Sequence, residues 1–140
     1  MHKRTIYITA NDMEELRKLL DDEKKRPGYS NGRAEHLNGL EAELNRSTCV
    51  ADQEVLHDVV TMHSTARLID LDTGEELVYT LVFPHEADIR SGKISVLAPI
   101  GTAMLGYRVG SVFEWPVPDG IRRMQVASVL YQPESAGASS

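Results

Sequence analysis

Two motifs that begin and end with glycine match known catalytic or phosphate-binding sequence patterns in part. Residues 28–32 read Gly-Tyr-Ser-Asn-Gly, the G-x-S-x-G pattern of a serine nucleophile. That nucleophile needs a preceding strand and a large parallel sheet, whereas a charged helix is predicted before it. Residues 101–106 begin like a phosphate-binding loop, but Tyr107 and Arg108 stand where Lys and Ser or Thr are required. We interpret both motifs as structural: an exposed turn between helices, and a small helix packed on a sheet.

Histidine and cysteine residues give no metal or nucleophile signature. His57 and His63 have the parity to share one face of a predicted strand, with Asp58 beside them. No further Cys or His follows at a ligand spacing, so half-exposed strand histidines are the favoured interpretation, and we expect neither a metal nor a cofactor. Cys49, the single cysteine, has no adjacent basic residue or helix start that would activate it. A lone cysteine fits a reducing compartment.

The bulk properties exclude several classes of function. The chain has 140 residues, 41% of them hydrophobic and 26% charged, and no apolar run approaches the roughly 18 residues of a membrane span. We therefore expect a cytoplasmic protein without a membrane partner. Residues 1–48 hold 9 basic and 9 acidic side chains, whereas residues 49–140 hold 6 and 12. No cationic surface is concentrated for phosphates, so we expect no direct sequence-specific binding of nucleic acid.

The first 48 residues predict an antiparallel helical hairpin, a short coiled coil. Thr9 or Asn11 supplies an N-cap for the first helix, and Pro27 with Gly28 ends it. The hairpin would project roughly 20 Å at 1.5 Å per residue. Each helix has a single apolar seam, which consists of Met13, Leu16, Leu19 and Leu20 in the first helix and of Leu37, Leu40 and Leu44 in the second.

Residues 49–133 predict an α+β domain of about five antiparallel strands and one short helix. The helix begins with Pro99 and stops at Gly106. Residues 84–92 are a polar excursion, and residues 134–140 are predicted to be a flexible tail. The strands are predicted at residues 65–71, 76–83, 94–97, 112–117 and 121–131, and residues 59–62 are a short apolar run before them.

Two separated motifs carry a resemblance to known proteins. Residues 98–101 (Ala-Pro-Ile-Gly), with residues 103–106 and Val109-Gly110, resemble the C-terminal domain of the Gre transcript-cleavage factors. With residues 57–64 added, the chain resembles the family called regulator of nucleoside diphosphate kinase. The resemblance implies an FKBP-like fold and binding to RNA polymerase at its secondary channel. The family name reflects an effect on the kinase, yet no residue here indicates kinase binding or kinase chemistry.

The resemblance also implies which residues act. The polymerase-binding segment of Gre factors corresponds to Leu97, Ala98, Pro99, Ile100 and Gly101, with alanine at 98 where Gre factors usually have serine. Acids at the tip of the Gre hairpin help to hold the catalytic magnesium of the polymerase.

The hairpin of this chain departs from that pattern. Its tip, which includes Pro27, Gly28 and Tyr29, has no carboxylate, and Asp22 and Glu35 are the acids before and after it. We therefore expect a regulator that is not an enzyme, competes with Gre-type factors for RNA polymerase and does not stimulate transcript cleavage.

Two alternatives remain open from the residues. Trp115 and Phe113, near Tyr107, are the side chains from which an FKBP-type prolyl isomerase would build an aromatic pocket. The second alternative is a protein-interaction module for another basic partner. Core packing also accounts for the three aromatic side chains.

Overall fold

A computed structural model describes residues 5–26, 31–118 and 120–138. These residues form a helical hairpin and a five-stranded sheet with a two-stranded ladder between them. The helices are α1 (Ala10–Lys25), α2 (Asn31–Arg46), α3 (Pro99–Met104) and α4 (Pro133–Ala138). The strands are β1 (Tyr7–Thr9), β2 (Thr48–Val50), β3 (Thr65–Asp70), β4 (Glu76–Val82), β5 (Lys93–Ser95), β6 (Val112–Val117) and β7 (Gly120–Tyr131).

The hairpin follows the sequence prediction. Of the two predicted N-caps, Thr9 is the one used: its hydroxyl accepts a hydrogen bond from the Asp12 N–H at 3.1 Å. Lys24 binds Glu41, and Arg17 binds Asn45, so α1 and α2 run antiparallel. The leucines of both seams are buried or partly buried. The predicted tip residues Pro27, Gly28 and Tyr29 lie outside the described residues.

The five-stranded sheet is mixed, which corrects the prediction of an antiparallel one. Its order is β5-β4-β3-β7-β6, and three of the neighbouring pairs are antiparallel. However, β5 pairs parallel to β4, with Thr80 opposite Lys93. The polar excursion after β4 forms two short 3-10 turns that bring the chain back beside Thr80, so β5 runs in the same direction along the second half of β4.

Two further segments differ from prediction. Val59–Met62 forms no strand: a single bridge joins Val59 to Arg108, and His63 has a φ of 66°. His57 and His63 therefore do not share a strand face. Residues 133–138 are helical where a flexible tail was predicted. The buried Gln132 side chain donates to Leu56 O and Val59 O at 2.8 Å, which holds the chain before α4.

The hairpin and the sheet share one hydrophobic core. Leucines from α1 and α2 belong to the same buried cluster as residues of β3, β4, β7 and α3. At this junction the buried Asp12 carboxylate accepts the Met62 N–H at 3.0 Å. The Asp52 carboxylate accepts the Asn11 N–H at 3.1 Å. The Asp12 carboxylate thus helps to hold the first turn of α1 on the loop before β3.

Asp12 gives a testable pH dependence. Burial raises the pKa of its carboxyl from 3.8 to about 6, against the lowering effect of the Met62 hydrogen bond. The folded protein therefore binds more protons than the unfolded chain between these two values, and this group lowers the free energy of unfolding as pH rises through that window. Above the folded pKa, ionisation of Asp12 should lower the free energy of unfolding by about 3 kcal/mol relative to its value below the unfolded pKa.

The matched variant is Asp12→Asn, which keeps an oxygen acceptor for Met62 and does not titrate. Urea unfolding from about pH 4 to pH 7 should show that the stability of the wild type falls relative to that of Asp12→Asn. Parallel curves for the two proteins would contradict the assignment.

Candidate functional site

The segment from β5 into α3 is held by hydrogen bonds on both sides. The Leu97 N–H donates to Ser95 Oγ, and the Ala98 N–H donates to Ser95 O, each at 3.0 Å. The Thr102 hydroxyl donates back to Val96 O at 2.6 Å. Pro99 occupies the first turn of α3, where its restricted φ suits the helix. We call Leu97, Ala98 and Pro99 the α3 loop; its conformation is set by these bonds before any partner arrives.

Burial divides the five residues that the sequence predicts as polymerase contacts. Pro99 is exposed, and Leu97 and Ala98 are half-buried. Ile100 is only 4% exposed and belongs to the core, and Gly101 is buried as well. The last two residues therefore support the loop from below, and the surface available to a partner is the α3 loop.

Gly101 allows the loop to pack closely on β5. A Cβ at this position would lie 2.1 Å from Ser95 O and 3.2 Å from Val96 Cα, both backbone atoms. Any other residue would have to move the strand end away from α3. The sequence motif thus requires glycine here for packing, in agreement with the structural interpretation of residues 101–106.

Ala98 occupies the N-cap position of α3. Its backbone is extended, and no side-chain hydrogen bond caps the helix. A serine at this position, as in the Gre pattern, would satisfy one of the free N–H groups of the first turn. Ala98 therefore leaves the first turn of α3 without a side-chain cap.

An open groove of about 260 Å³ lies between α2, α3 and β6. It brings Glu35 of α2 beside Leu97 and Pro99 of the α3 loop. Asp22, the other acid predicted near the tip, is exposed on α1 and does not line it. We call this site the acidic groove, and its lining residues are Glu35, Gly39, Glu43, Leu97, Pro99, Thr102, Ala103, Glu114 and Trp115.

Sequence reasoning missed five acidic-groove residues: Gly39, Glu43, Thr102, Ala103 and Glu114. A signal was present, because Glu35, Gly39 and Glu43 are spaced i, i+4, i+8 and share one helix face. Their proximity to Glu114 is a tertiary contact that no local pattern contains. The indole of Trp115 is half-buried, and its Nε1 is buried without a hydrogen-bond partner among the described residues.

The aromatic residues do not form the pocket that an isomerase would need. Phe113 is buried and stacks on Tyr107, with ring centroids 6.0 Å apart and planes 6° apart. Only Trp115 reaches the acidic groove. Phe113 lies in the core and Trp115 lines the groove, so the two side chains do not form a common pocket. The structural reason for the isomerase alternative is therefore removed.

The remaining polar clusters are held by pairing. Asp58 forms a bidentate ion pair with Arg108, in which Nε and Nη2 each lie 3.0 Å from a carboxylate oxygen. His63 Nε2 lies 2.8 Å from Glu86, and this contact holds the pKa of the Glu86 carboxyl below its usual value. In the described part of the chain, no three His, Cys, Asp or Glu side chains are grouped to hold a metal ion. Cys49 is exposed on β2.

Comparison with known proteins agrees with the architecture. Residues 55–131 match the family described as "Transcription elongation factor, GreA/GreB, C-term", and residues 4–50 match "Rnk N-terminus". The chain is 38% identical over 138 residues to the regulator of nucleoside diphosphate kinase of Escherichia coli K12, across 98% of this chain and 97% of that protein. Transcription elongation factor GreA of Chloroherpeton thalassium is 42% identical over 93 residues, which cover 66% of this chain and 59% of that one.

A solved structure extends the likeness to three dimensions. Transcription elongation factor GreA/GreB from Nitrosomonas europaea is 39% identical, with a TM-score of 0.71, across 92% of this chain and all of that one. The second half of the chain thus shares the Gre-type C-terminal domain of transcription elongation factors. The chain as a whole belongs to the regulator of nucleoside diphosphate kinase family. None of the helices in the described ranges is long and apolar enough to cross a membrane.

The close packing at Gly101 predicts a sharp stability difference between two glycines. Gly101→Ala should lower the free energy of unfolding by about 2 kcal/mol or more, because its methyl group meets the backbone of Ser95. The matched control is Gly39→Ala in α2, where a Cβ meets nothing within 4 Å. Gly39→Ala should raise the free energy of unfolding by about 0.5–1 kcal/mol. Equal effects of the two substitutions in urea unfolding would contradict the close approach.

Proposed function

We propose that this protein binds RNA polymerase at the entrance of the secondary channel through its α3 loop. The family and the Gre-type domain support this, since the similar proteins include transcription elongation factors. The observation that carries the proposal is the hydrogen-bonded α3 loop, in which Pro99 is exposed and Leu97 and Ala98 are half-buried. An FKBP-like topology for residues 49–133 belongs to the same proposal, as does a cytoplasmic location, which follows from the partner.

The α3 loop suits recognition for an energetic reason. Binding costs free energy when loops and side chains must be ordered, and a loop that is already held avoids most of this cost. Leu97 and Ala98 are each held by Ser95, and Pro99 has a restricted φ. The half-exposed Leu97 then offers apolar area that a partner can cover.

The hairpin would occupy the mouth of the channel without supplying acids to the polymerase. From Lys24 to Ala34 the sequence has no Asp or Glu and has four basic residues. A carboxylate must lie within direct or one-water reach of a metal ion to hold it, and the flanking acids Asp22 and Glu35 lie outside this run. The proposed protein is therefore a non-catalytic occupant that competes with Gre-type factors and does not stimulate transcript cleavage.

Competition with a Gre factor tests the proposal directly. Labelled Gre factor is bound to core RNA polymerase, this protein is titrated in, and transcript cleavage is followed in the same samples. We expect displacement of the label together with loss of cleavage. Retention of the label at concentrations well above that of the Gre factor would refute the proposal.

Variants identify the surface that binds. Leu97→Asp should weaken binding to core polymerase by about tenfold or more, because it places a charge where apolar area is buried. Ile89→Asp is the control, since Ile89 is also an exposed apolar residue but lies in the turn before β5. Ile100 is unsuitable for this purpose, because its substitution would disturb the core. Equal affinities of the Leu97 and Ile89 variants would exclude the α3 loop as the contact.

A further inference from the structure

The acidic groove combines an apolar floor with carboxylates at its edges. Leu97, Ala103 and Trp115 provide the apolar part, and Pro99 continues it to the α3 loop. The carboxylates come from two elements: α2 provides Glu35 and Glu43, and β6 provides Glu114. A surface with this composition selects for a side chain that is both apolar along its length and cationic at its end.

The charges of the groove are only partly compensated within the chain. Glu43 forms an ion pair with Arg46, whose Nε lies 2.7 Å from a Glu43 carboxylate oxygen. Glu35 and Glu114 are exposed and form no ion pair with another described residue. Glu114 lies opposite Arg123 across β6 and β7, and the charge of that guanidinium, which binds Asp72 at 2.8 Å, offsets part of the Glu114 charge. The groove therefore presents a negative field to a partner, which disfavours phosphate groups and favours a cation.

The dimensions suit one side chain of a protein. At about 260 Å³ the groove is smaller than the roughly 300–1,000 Å³ of small-molecule pockets, and it is open along one side. An arginine fits the lining best, because its planar guanidinium stacks on an indole and binds carboxylates through several N–H groups. Lysine has a compact charge that is more strongly hydrated, so it gains less from the ring of Trp115.

We propose that the acidic groove receives an arginine side chain from the polymerase segment that contacts the α3 loop. This inference rests on the proposed function, and it adds α2 and β6 to the binding surface. The partner segment would carry an apolar side chain against Leu97 and an arginine directed between α2 and β6. Because the groove has walls from the hairpin and from the sheet domain, this one contact would hold both parts on the polymerase.

Neutral variants test the charge requirement. Glu35→Gln with Glu114→Gln removes two groove charges and leaves the Glu43–Arg46 pair in place. We expect the affinity for core RNA polymerase to fall about tenfold at low salt, with a smaller loss at high salt. The control, Glu15→Gln with Glu75→Gln, makes the same change in net charge at exposed positions outside the groove. It should retain nearly the wild-type affinity.

A second variant tests the aromatic wall. Trp115→Leu keeps an apolar residue on β6 and removes the ring, so it should also weaken binding about tenfold. Thermal unfolding of each variant shows whether the fold survives. If Trp115→Leu fails to fold, the paired glutamine variants decide by themselves, because both of their sites are exposed.

The outcomes separate this inference from the proposed function. Failure of the wild type to bind core polymerase refutes the proposed function and removes the basis of the inference. Binding that Leu97→Asp abolishes and that the groove variants leave unchanged overturns the inference alone. If Trp115→Leu weakens binding and the paired glutamine substitutions do not, the occupant is an apolar side chain, and the assignment of an arginine is overturned. Self-association of the free protein that the paired glutamines abolish would identify a second copy as the occupant, which also overturns the proposal.

Discussion

The close backbone contact of Gly106 with Tyr7 and Val60 is the constraint on which the arrangement of this protein depends. Gly106 O accepts the Tyr7 N–H at 3.0 Å, and Gly106 N–H donates to Val60 O at 2.8 Å. Its φ is 81°, and a Cβ would lie 2.9 Å from the Ile6 side chain and 3.0 Å from Tyr7 O. Glycine alone combines this backbone angle with this approach. These contacts join the end of α3 to the strand that leads into the hairpin.

The hairpin itself is the connection between two parallel strands. Parallel neighbours need a long crossover, and here α1 and α2 carry the chain from β1 to β2, where Ile8 lies opposite Cys49. The predicted boundary between residues 48 and 49 therefore falls inside a strand, β2, that pairs with β1. Leucines of α1 and α2 continue into the sheet core, and Asp12 binds the backbone before β3. Neither helix has enough apolar surface to stand alone, which explains why the hairpin base is packed into the domain.

Local features could be predicted from the sequence, and features that depend on distant contacts could not. Thr9 as a cap, the leucine seams and Gly106 as the helix stop each follow from residues within one or two turns. The parallel pairing of β5 depends on the path of the excursion before it. The helix α4 follows the buried Gln132, whose side-chain N–H groups donate to carbonyls more than 70 residues away. At the site, the position of the α3 loop was predicted, but the burial of Ile100 depends on the core beneath α3. The acidic groove forms only when α2 and β6 both pack beside α3.

The distribution of charge decides what kind of occupant this protein can be under the proposed function. Residues 24–34 carry only basic charges, so a hairpin at the channel mouth brings cations, not carboxylates, toward the polymerase interior. Cations cannot hold a catalytic metal, so under the proposed function the hairpin would act by occupying the channel mouth. Occupancy depends on affinity, and affinity depends on surfaces that are ordered before binding. The α3 loop meets that condition, because Ser95 and the close approach of Gly101 hold its backbone.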